Sequence, residues 1–519
     1  MVNRKERINF GGSNMSDTKQ TLTSIWQLSS HDKPYPHLDQ DIEVDVAVVG
    51  GGITGLTSAY LLSQSGKKVA VLDAGSFGRG TTGHSTAKLT IQHDFIYDEL
   101  LSHLGKEKAQ QYYQSQQDAL TFVRNLVQKN NVQCGFSDED TYLYATTHHG
   151  EHRLKREKKA YEQLSIPHEW VTDLPINMKI RAALKVPNQA QFHPLAYLSF
   201  ICDELDKKGA HLFENTVCKK VSHEKGSVLV HANDGHTVTA KQVIAATHFP
   251  FIDGGGLYMS RMKADRSYVV AGTSSDNWAG GMYLSAEQPK RSLRGVSMNG
   301  KHYILVGGDH HKAGQGIDAR NHYDALRTFA DEQFNDFQAE QEWSAQDLTT
   351  LDNIPYIGPL SSLQANVFIA TGYRKWGMTG GVTAAHVLAD LIVDGNSLYA
   401  DLYKPMRFHS DPSMKHFLTE NADVAKHLIQ GKLQNDYEDV RELDNGQGAV
   451  VKHNGKRAGA FKDDEGALHL VDTTCTHMGC ECNWNHADLT WDCPCHGSRF
   501  SYKGEVIEGP AKEPLKKLD

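Results

Sequence analysis

The sequence predicts an α/β unit that carries an inserted antiparallel sheet, followed by a small all-β unit. Three observations support this fold class. A β–turn–α–β pattern occupies residues 44–73, short strands alternate with turns over residues 255–345, and after about Tyr437 the chain changes to short strands with Gly, Asn and Asp turns. With 519 residues, the chain is long enough for about three domains of ~150 residues.

The first pattern begins with a mostly apolar, β-branched run from Val44 to Val49. Apolar residues then recur at helical spacing from Ile53 to Ser65, Gly66 ends this helix, and a second strand runs from Lys68 to Leu72. Further predicted elements are a helix over residues 95–130, buried strands at residues 243–246 and 367–370, a late helix over residues 381–393, and short strands at residues 449–452, 458–462 and 467–471.

The predicted domain boundaries follow from these patterns. They are an N-terminal extension over residues 1–42, the α/β unit over residues 43–396 with its inserted sheet at about residues 255–345, a linker with a short helix over residues 397–435, and the all-β unit over residues 436–519. The codons of Gly11 and Gly12 could form a purine-rich ribosome-binding sequence, in which case translation starts at Met15.

Composition and charge exclude some function classes. A formal net charge of −9 argues against a nucleic-acid surface, which needs a basic patch. No run approaches the ~18 apolar residues of a membrane helix, so we expect no integral membrane segment. The polar start of the chain lacks the pattern of a secretory signal, and we expect a cytoplasmic protein.

A glycine motif, Gly50-Gly51-Gly52-Ile53-Thr54-Gly55, lies between the first strand and the first helix. Gly50 suits a tight turn, Gly52 allows the backbone to approach a pyrophosphate, and Gly55 allows close packing of helix and strand. Asp73, at the end of the second strand, is placed to accept a ribose hydroxyl. A glycine triplet alone would indicate only a turn, but this context predicts a dinucleotide site.

Only one such fingerprint is present, and over about residues 43–405 the chain resembles the D-amino-acid-oxidase-like family of FAD-dependent oxidoreductases. The resemblance implies a Rossmann-like FAD-binding fold of the glutathione-reductase type, with the inserted sheet as the substrate domain. Besides the fingerprint, it rests on Gly80 to Ala87, Phe192-His193-Pro194, Glu214 to Val217, Ile244 to Thr247, Asp352 to Pro355, and the late glycines Gly372, Gly377, Gly380 and Gly381.

The resemblance also implies a set of FAD contacts. Val217 would hold the adenine through its backbone, and Gly377 to Thr379 would meet the flavin at the start of the late helix. His84 would either bind FAD covalently, as a histidine does in some amine dehydrogenases of this family, or make a polar contact. The expected contacts are Gly50, Gly52, Gly55, Asp73, Thr82, His84, Val217, Gly372, Gly377 and Thr379.

Candidates for substrate contact are Tyr268, Trp343, Arg374 and Trp376. An arginine can bind a carboxylate in a bidentate manner, and aromatic residues commonly form the walls of a flavin pocket. The alternatives for these four residues are surface charge and core packing. A run from Asp309 to Lys312 resembles a metal site, but it follows two glycines in a turn-rich region and is predicted to be a solvated loop.

Two boxes near the C-terminus carry thiols and imidazoles at regular spacing. Cys475 and His477 form C-x-H, and Cys493 and His496 form C-x-x-H. Two thiolates and two imidazoles fit a [2Fe-2S] cluster that has cysteines on one iron and histidines on the other. They also fit a Cys₂His₂ zinc site, although the spacing is unlike that of the usual zinc fingers.

These boxes resemble the Rieske family over about residues 437–519, so the all-β unit is expected to be a Rieske [2Fe-2S] domain. The resemblance implies that Cys475, His477, Cys493 and His496 are ligands, and that a disulfide links Cys480 with Cys495. It also implies that the hydroxyl of Ser498 bonds a cluster sulfur. Phe500 stands in place of a tyrosine donor, and Cys482 falls outside the pattern as a buried thiol.

A flavin accepts two electrons and the cluster carries one. The sequence therefore predicts a dehydrogenase-like oxidoreductase that oxidises a small amine or amino acid at FAD and passes electrons to an unidentified one-electron acceptor. One alternative is a non-catalytic electron-transfer or redox-sensing protein. A second is a Rieske-dependent monooxygenase component, although the sequence shows no 2-His-1-carboxylate iron motif at usable spacing.

Overall fold

The computed structural model describes residues 23–29, 33–253, 255–316, 318–407, 413–433 and 437–518. The expected start at Met15 lies outside these residues. The helices are α1 (Ile25–Ser29), α2 (Ile53–Gln64), α3 (Ile96–Asn130), α4 (His148–Gln163), α5 (Pro194–Lys207), α6 (Ala319–Gln333), α7 (Gly377–Val393), α8 (Ala400–Tyr403) and α9 (Ser413–Leu433), with 3₁₀ turns at Thr81–His84, Tyr258–Ser260 and Val440–Glu442.

The first ten strands are β1 (Ile42–Val49), β2 (Val69–Leu72), β3 (Lys88–Leu89), β4 (Ser137–Ala145), β5 (Glu169–Val171), β6 (Ala182–Gln191), β7 (His211–Phe213), β8 (Cys218–Glu224), β9 (Ser227–Ala232) and β10 (Thr237–Ala245). The remaining strands are β11 (Met262–Thr273), β12 (Met282–Ser285), β13 (Arg291–Met298), β14 (Lys301–Lys312), β15 (Gln338–Thr350), β16 (Tyr356–Ser361), β17 (Gln364–Thr371), β18 (Gln447–His453), β19 (Lys456–Lys462), β20 (Leu468–Val471), β21 (Asn483–Asn485), β22 (Thr490–Asp492), β23 (Arg499–Ser501) and β24 (Val506–Glu508).

An eight-stranded sheet forms the first layer, with the order β16-β17-β10-β1-β2-β7 and with β8 and β9 beside β10. Strand β1 pairs in parallel with both β2 and β10, and β10 pairs in parallel with β17. Val46 and Val48 of β1 and Leu56 of α2 are fully buried in one core. The predicted Rossmann-like unit is confirmed, and its glycine turn lies at the carboxyl end of β1, where ligands bind in such sheets.

A nine-stranded sheet forms the second layer, with the order β15-β11-β14-β13-β12-β4-β6-β3 and with β5 beside β6. The antiparallel strands expected at residues 255–345 are present. The sheet also includes β3 to β6 from an earlier part of the chain, and β12 pairs in parallel with β4. The solvated loop expected from Asp309 to Lys312 is wrong, because these residues end β14, which pairs with β11 and β13.

The C-terminal unit contains a three-stranded and a four-stranded antiparallel sheet, β18–β20 and β21–β24. The three short strands predicted from the sequence correspond to β18, β19 and β20. Trp491 and Phe500 are fully buried beside the clustered cysteines. The small core of this unit is therefore built around the loops that carry the cysteine boxes.

The predicted linker contains α9, a helix of 21 residues instead of the expected short one. From β14, Lys312 Nζ lies 2.6 Å from both Glu420 Oε2 and Asp423 Oδ2 of this helix. Val424 and Leu428 on the same helix pack against the cysteine-rich core. Helix α9 therefore contacts both units.

None of the helices in the described part of the chain is long and apolar enough to cross a bilayer. The cytoplasmic location and the domain boundaries stay predictions.

Candidate active site and metal centre

A cavity of about 720 Å³ lies between the carboxyl ends of the parallel strands, the antiparallel sheet and the C-terminal unit. Its volume falls in the range of ligand and cofactor sites. The glycine turn and the predicted substrate sheet contribute to its wall, and so does the segment from Val506 to Lys512. One cavity is thus bounded by both folded units.

The glycine turn leaves no room for side chains on the protein side. Gly50 has φ +108°, and a Cβ on it would lie 2.4 Å from the carbonyl oxygen of Ala246. A Cβ on Gly55 would lie 1.8 Å from the carbonyl oxygen of Gly50. Gly50 and Gly52 line the cavity, whereas Gly55 holds α2 against β1. The start of α2 is therefore open to a pyrophosphate, which fits the predicted FAD.

Asp73 and Val217 line the same cavity. The Asp73 carboxylate accepts hydrogen bonds from the backbone N–H of Gly51 at 2.6 Å and from that of Gly75 at 2.8 Å. Burial raises the pKa of this carboxyl group. It retains acceptor capacity for a hydroxyl group, because a carboxylate offers about four lone-pair sites.

The 3₁₀ turn at Thr81–His84 brings two more predicted residues to the cavity. Thr82 Oγ1 accepts a hydrogen bond from the N–H of Ile53 at 3.1 Å, and this bond joins the turn to the first residue of α2. His84 Nδ1 lies 2.9 Å from the carbonyl oxygen of Gly80, and burial lowers the pKa of His84. A covalent bond from His84 to FAD stays an untested alternative.

Besides Gly55, three other predicted contacts do not line the cavity, and the structure places them elsewhere. Trp343 is fully buried on β15 and donates from Nε1 to the His84 carbonyl at 2.8 Å, so it supports the 3₁₀ turn from behind. Gly372 faces Thr350, whose Cγ2 would lie 2.3 Å from an added Cβ. The Thr379 hydroxyl is engaged by the backbone of Thr90, accepting from its N–H at 3.1 Å and donating to its carbonyl at 2.9 Å.

The other substrate candidates do line the cavity, as does Gly377 at the start of α7. Arg374 donates from Nη2 to the carbonyl of His93 at 3.0 Å, and Trp376 stacks on the His93 ring at 4.7 Å. The Tyr268 hydroxyl lies 2.9 Å from His311 Nε2. These contacts fix a cation and aromatic rings at the wall.

Several ionisable residues of the cavity wall carry no motif that would have predicted them from the sequence. Lys88 donates to the carbonyl of Tyr283 at 2.9 Å and to Ser292 Oγ at 2.6 Å. Burial, together with the nearby charge of Arg294, lowers the pKa of Lys88 to about 7. The signal for Lys88 was its place directly after the Gly80 to Ala87 segment. The other ionisable residues of the wall that were not predicted lie far apart in sequence: Asp94, His248, Asp265, Lys290, His310, Asp347, Lys375, Glu508 and Lys512.

The cysteine boxes form two adjacent loops in the C-terminal unit. The predicted disulfide between Cys480 and Cys495 is confirmed, with Cα atoms 6.5 Å apart. The Cys475 and Cys493 sulfurs lie within 4.8 Å of each other. This disulfide joins the two loops on which those sulfurs lie.

The two histidines of the boxes are also brought together. The rings of His477 and His496 are 5.1 Å apart and nearly perpendicular. His496 Nδ1 is buried and has no hydrogen-bond partner among the described residues. Two adjacent thiols, two adjacent imidazoles and one unsatisfied ring nitrogen fit a [2Fe-2S] cluster with mixed ligands.

Cys482 is the buried thiol that the sequence analysis expected, but its sulfur lies with those of Cys475 and Cys493. Hydrogen bonds from Cys482 and Cys493, together with one from Ser498, lower the pKa of Cys475. The Ser498 oxygen also accepts from the N–H of Ala511 at 3.0 Å.

The C-terminal unit docks directly on the cavity wall. Gln346 lines the cavity, and its Nε2 donates to the carbonyl of Gly497 at 3.0 Å, next to His496. A Cβ on Gly497 would lie 2.7 Å from the Cβ of Ala264 on β11. The second cysteine box is therefore in van der Waals contact with the substrate sheet.

Comparisons with known proteins agree with this arrangement. Residues 45–391 match the family model "FAD dependent oxidoreductase", and residues 435–519 match "Rieske [2Fe-2S] domain". A Bacillus subtilis protein, YhfW, described as a Rieske 2Fe-2S iron-sulfur protein, is 43% identical over 98% of this chain and 99% of its own. Gamma-glutamylputrescine oxidoreductase of Escherichia coli is 24% identical over 71% of this chain and 89% of its own.

Among solved structures, glycine oxidase from Geobacillus kaustophilus covers 71% of this chain and 99% of its own length. The TM-score is 0.61 at 18% sequence identity, so this likeness concerns the fold.

Proposed function

Because this chain belongs to the FAD dependent oxidoreductase family and ends in a Rieske [2Fe-2S] domain, we propose that it oxidises a small amine or amino acid and passes the electrons singly to an external acceptor. Held at these sites, FAD would supply two-electron chemistry and the [2Fe-2S] cluster would supply one-electron transfer. A chain that contains both groups can connect a two-electron donor to a one-electron acceptor. This role favours a dehydrogenase over an oxygen-consuming oxidase.

The site residues in this proposal are those that the cavity and the loops bring together. Cys475, His477, Cys493 and His496 hold the cluster. Gly50, Gly52, Asp73, Thr82, His84, Val217 and Gly377 contact FAD, and Gly55 keeps the turn in shape.

The observation that carries the relay is the contact between the cavity wall and the second cysteine box. Gln346 belongs to the wall and donates to Gly497, which directly follows His496. Arg266 donates from Nη2 to Glu508 at 2.7 Å and to Gln346 Oε1 at 3.1 Å. Two hydrogen-bonded side chains therefore hold the cluster loop against the wall, which supports electron transfer within one chain.

The polar lining supports a zwitterionic or amine substrate. The planar guanidinium of Arg374 can bind a carboxylate in a bidentate manner, while Asp265 and Asp347 offer acceptors for an amino group. The names of two relatives, a gamma-glutamylputrescine oxidoreductase and a glycine oxidase, agree with this substrate class.

The test uses the full-length protein with both cofactors. Anaerobic mixing with a panel of amines and amino acids should bleach the flavin for at least one compound, and partial reduction of the cluster should follow. A Cys475→Ser variant without the cluster should still be bleached at the wild-type rate, but should lose turnover with a one-electron acceptor such as cytochrome c. Equal turnover in the two proteins would refute the relay.

The same panel tests the alternatives. If no amine or amino acid bleaches the flavin while a reduced carrier protein does, a non-catalytic electron-transfer role is correct instead. Among the described residues, the groups of three or more candidate ligands within 4.8 Å all consist of cysteines. This gives no support to the mononuclear iron site that a Rieske-dependent monooxygenase requires.

A further inference from the structure

Cys482 adds a third sulfur to the two cysteines that we propose as cluster ligands. The sulfurs of Cys475, Cys482 and Cys493 lie within 4.8 Å of one another, and Cys482 is 0% exposed. A Rieske cluster takes two thiolates and two imidazoles, so this third thiol is not needed as a ligand.

The backbone of Cys482 is held on both sides. Its N–H donates to the carbonyl of Thr473 at 2.9 Å, and its own carbonyl accepts from Arg457 Nη2 at 3.0 Å. Arg457 also donates from Nε to Thr473 Oγ1 at 3.1 Å. These bonds fix the direction of the Cys482 side chain, so its sulfur is presented to the ligand pair by the fold.

A thiol that keeps its proton is a weak donor, and a thiolate is a charged acceptor, which strengthens the bond between them. Ser498, whose hydroxyl is expected to bond a cluster sulfur, is fully buried in the same loops. Phe500 is fully buried beside the cluster loops and has no hydroxyl to offer. Cys482 is therefore in position to supply a donor that Phe500 lacks.

We propose that Cys482 is a positioning residue whose single S–H group is directed at the adjacent sulfurs of the proposed ligands, Cys475 and Cys493, and makes the cluster easier to reduce. The reduced cluster carries one more negative charge than the oxidised cluster, so a donor at its sulfurs stabilises the reduced form more. This inference rests on the proposed ligand set and not on the substrate, so it can fail while the proposed amine oxidation holds.

The experiment compares full-length variants by redox titration of the cluster and by EPR. Cys482→Ala should lower the ratio of reduced to oxidised cluster at a fixed potential by up to about tenfold, which corresponds to ~59 mV for one electron. Cys482→Ser should stay within about threefold of wild type, because a hydroxyl is also a donor. The EPR g-values should remain those of the wild-type cluster in both variants.

Two further variants make the result decisive. Cys134→Ala removes another buried thiol in the core of the α/β unit and should leave the titration unchanged. Cys482→Val lacks a donor but avoids the cavity that alanine leaves, and it should behave like Cys482→Ala. An unchanged potential in a donor-free variant with an intact cluster would overturn the proposal. So would loss of iron from both donor-free variants, or altered g-values in Cys482→Ser, because either result would make Cys482 a ligand or a structural residue.

Discussion

The glycine turn and the cysteine loops lie on opposite sides of one wall. The turn is suited to its cofactor by backbone atoms, and the loops are suited to theirs by side-chain atoms. In the turn, backbone groups and the absence of Cβ atoms shape the site, as at Gly50 and Gly55. In the loops, side-chain sulfur and nitrogen atoms are the proposed binding groups, as at Cys475 and His496. A backbone site fails when atoms are added, whereas a side-chain site fails when atoms are removed.

The seam between these two regions differs from both. It contains charged side chains: Arg266 of β11 donates to Glu508 of the C-terminal unit. Arg499 of that unit, paired there with Asp488 and Asp492, lies against Ser344 of β15. Burial opposes ionisation of Glu508, but Arg266 and Arg499 lower its pKa, so the carboxylate remains charged. The Arg266–Glu508 pair joins the two units, and a charged pair with fixed geometry defines a docking position more sharply than apolar contacts alone.

The largest expected effect comes from removing a cluster ligand. His496→Ala should abolish the cluster and leave FAD bound, because the glycine turn does not depend on the cysteine loops. The measurement is iron and flavin content of the purified protein, with EPR after reduction. His453→Ala, in β18 of the same unit, is the control and should keep its iron. Wild-type iron content with an unchanged EPR signal in His496→Ala would show that the ligand set is wrong.

Adding one methyl group to the glycine turn should have the opposite effect: FAD should be lost and the cluster should be kept. In Gly55→Ala the new Cβ would meet the Gly50 carbonyl at 1.8 Å, so the turn must shift. We expect loss of FAD and destabilisation by about 3 kcal/mol, the upper end of the range for overpacking. Helix propensity alone would favour alanine here, so destabilisation would be due to the contact. Flavin content and urea unfolding measure both effects.

Gly52→Ala separates fold from binding. The new Cβ would lie 3.1 Å from Thr82 Oγ1, on the side of Gly52 that faces the cavity. The apoprotein should therefore be nearly as stable as wild type, while FAD binding should weaken. If Gly52→Ala and Gly55→Ala lose FAD and stability to the same extent, the two glycines do not have the separate roles assigned to them.

The seam predicts an intermediate effect. Arg266→Ala leaves the Glu508 carboxylate without its nearest partner, and breaking a buried pair costs about 3 kcal/mol at the low end of its range. We take the low end because the Glu508 side chain is 28% exposed. The measurement is the free energy of unfolding, together with the rate at which reduced flavin reduces the cluster.

Arg441→Ala is the matched control for that variant. Arg441 pairs with Asp439 at 2.5 Å on the surface, where solvent screens the pair, so its loss should leave stability nearly unchanged. The double variant Arg266→Ala/Glu508→Gln should regain part of the lost stability, because the carboxylate is then no longer unpaired. If the double variant regains no stability, the stability lost in Arg266→Ala is due to the packing of the Arg266 aliphatic stem and not to the unpaired carboxylate.

How much the sequence could predict depends on whether a signal is local. The glycine turn, Asp73 and both cysteine boxes are short motifs at fixed spacing, and their arrangement follows from adjacent strands and turns. Trp343 was misassigned because an aromatic residue on a strand carries no sign of which face is buried. The membership of β3 to β6 in the second sheet was not predicted. These strands join it through the pairing of β4 with β12, and those two strands lie more than a hundred residues apart in the sequence.

The same limit applies to the cavity wall. Lys88, Lys290 and Asp347 converge only when the long-range strand pairs form, so no local pattern indicates their shared position. Cys482 was identified as a buried thiol, but its closeness to Cys475 depends on the fold of the intervening turn. Gln346 had no motif at all, and its contact with Gly497 depends on domain docking.

The smallest expected effect concerns the charge of Lys88 at the cavity wall. Its pKa of about 7, lowered by burial and by Arg294, means that it is protonated at pH 6 and mostly neutral at pH 8.5. A bound carboxylate such as benzoate should therefore be held most tightly at low pH and lose up to about fivefold in affinity as the pH rises through 7, or ~1 kcal/mol. Titration of the flavin spectrum with benzoate at each pH measures this. Lys88→Met should bind benzoate more weakly at pH 6 and show no such change. Lys67→Met, which precedes β2 and does not line the cavity, should behave like wild type. A pH-independent benzoate affinity in the wild-type protein would show that carboxylates bind elsewhere in the cavity, with Arg374 as the remaining candidate.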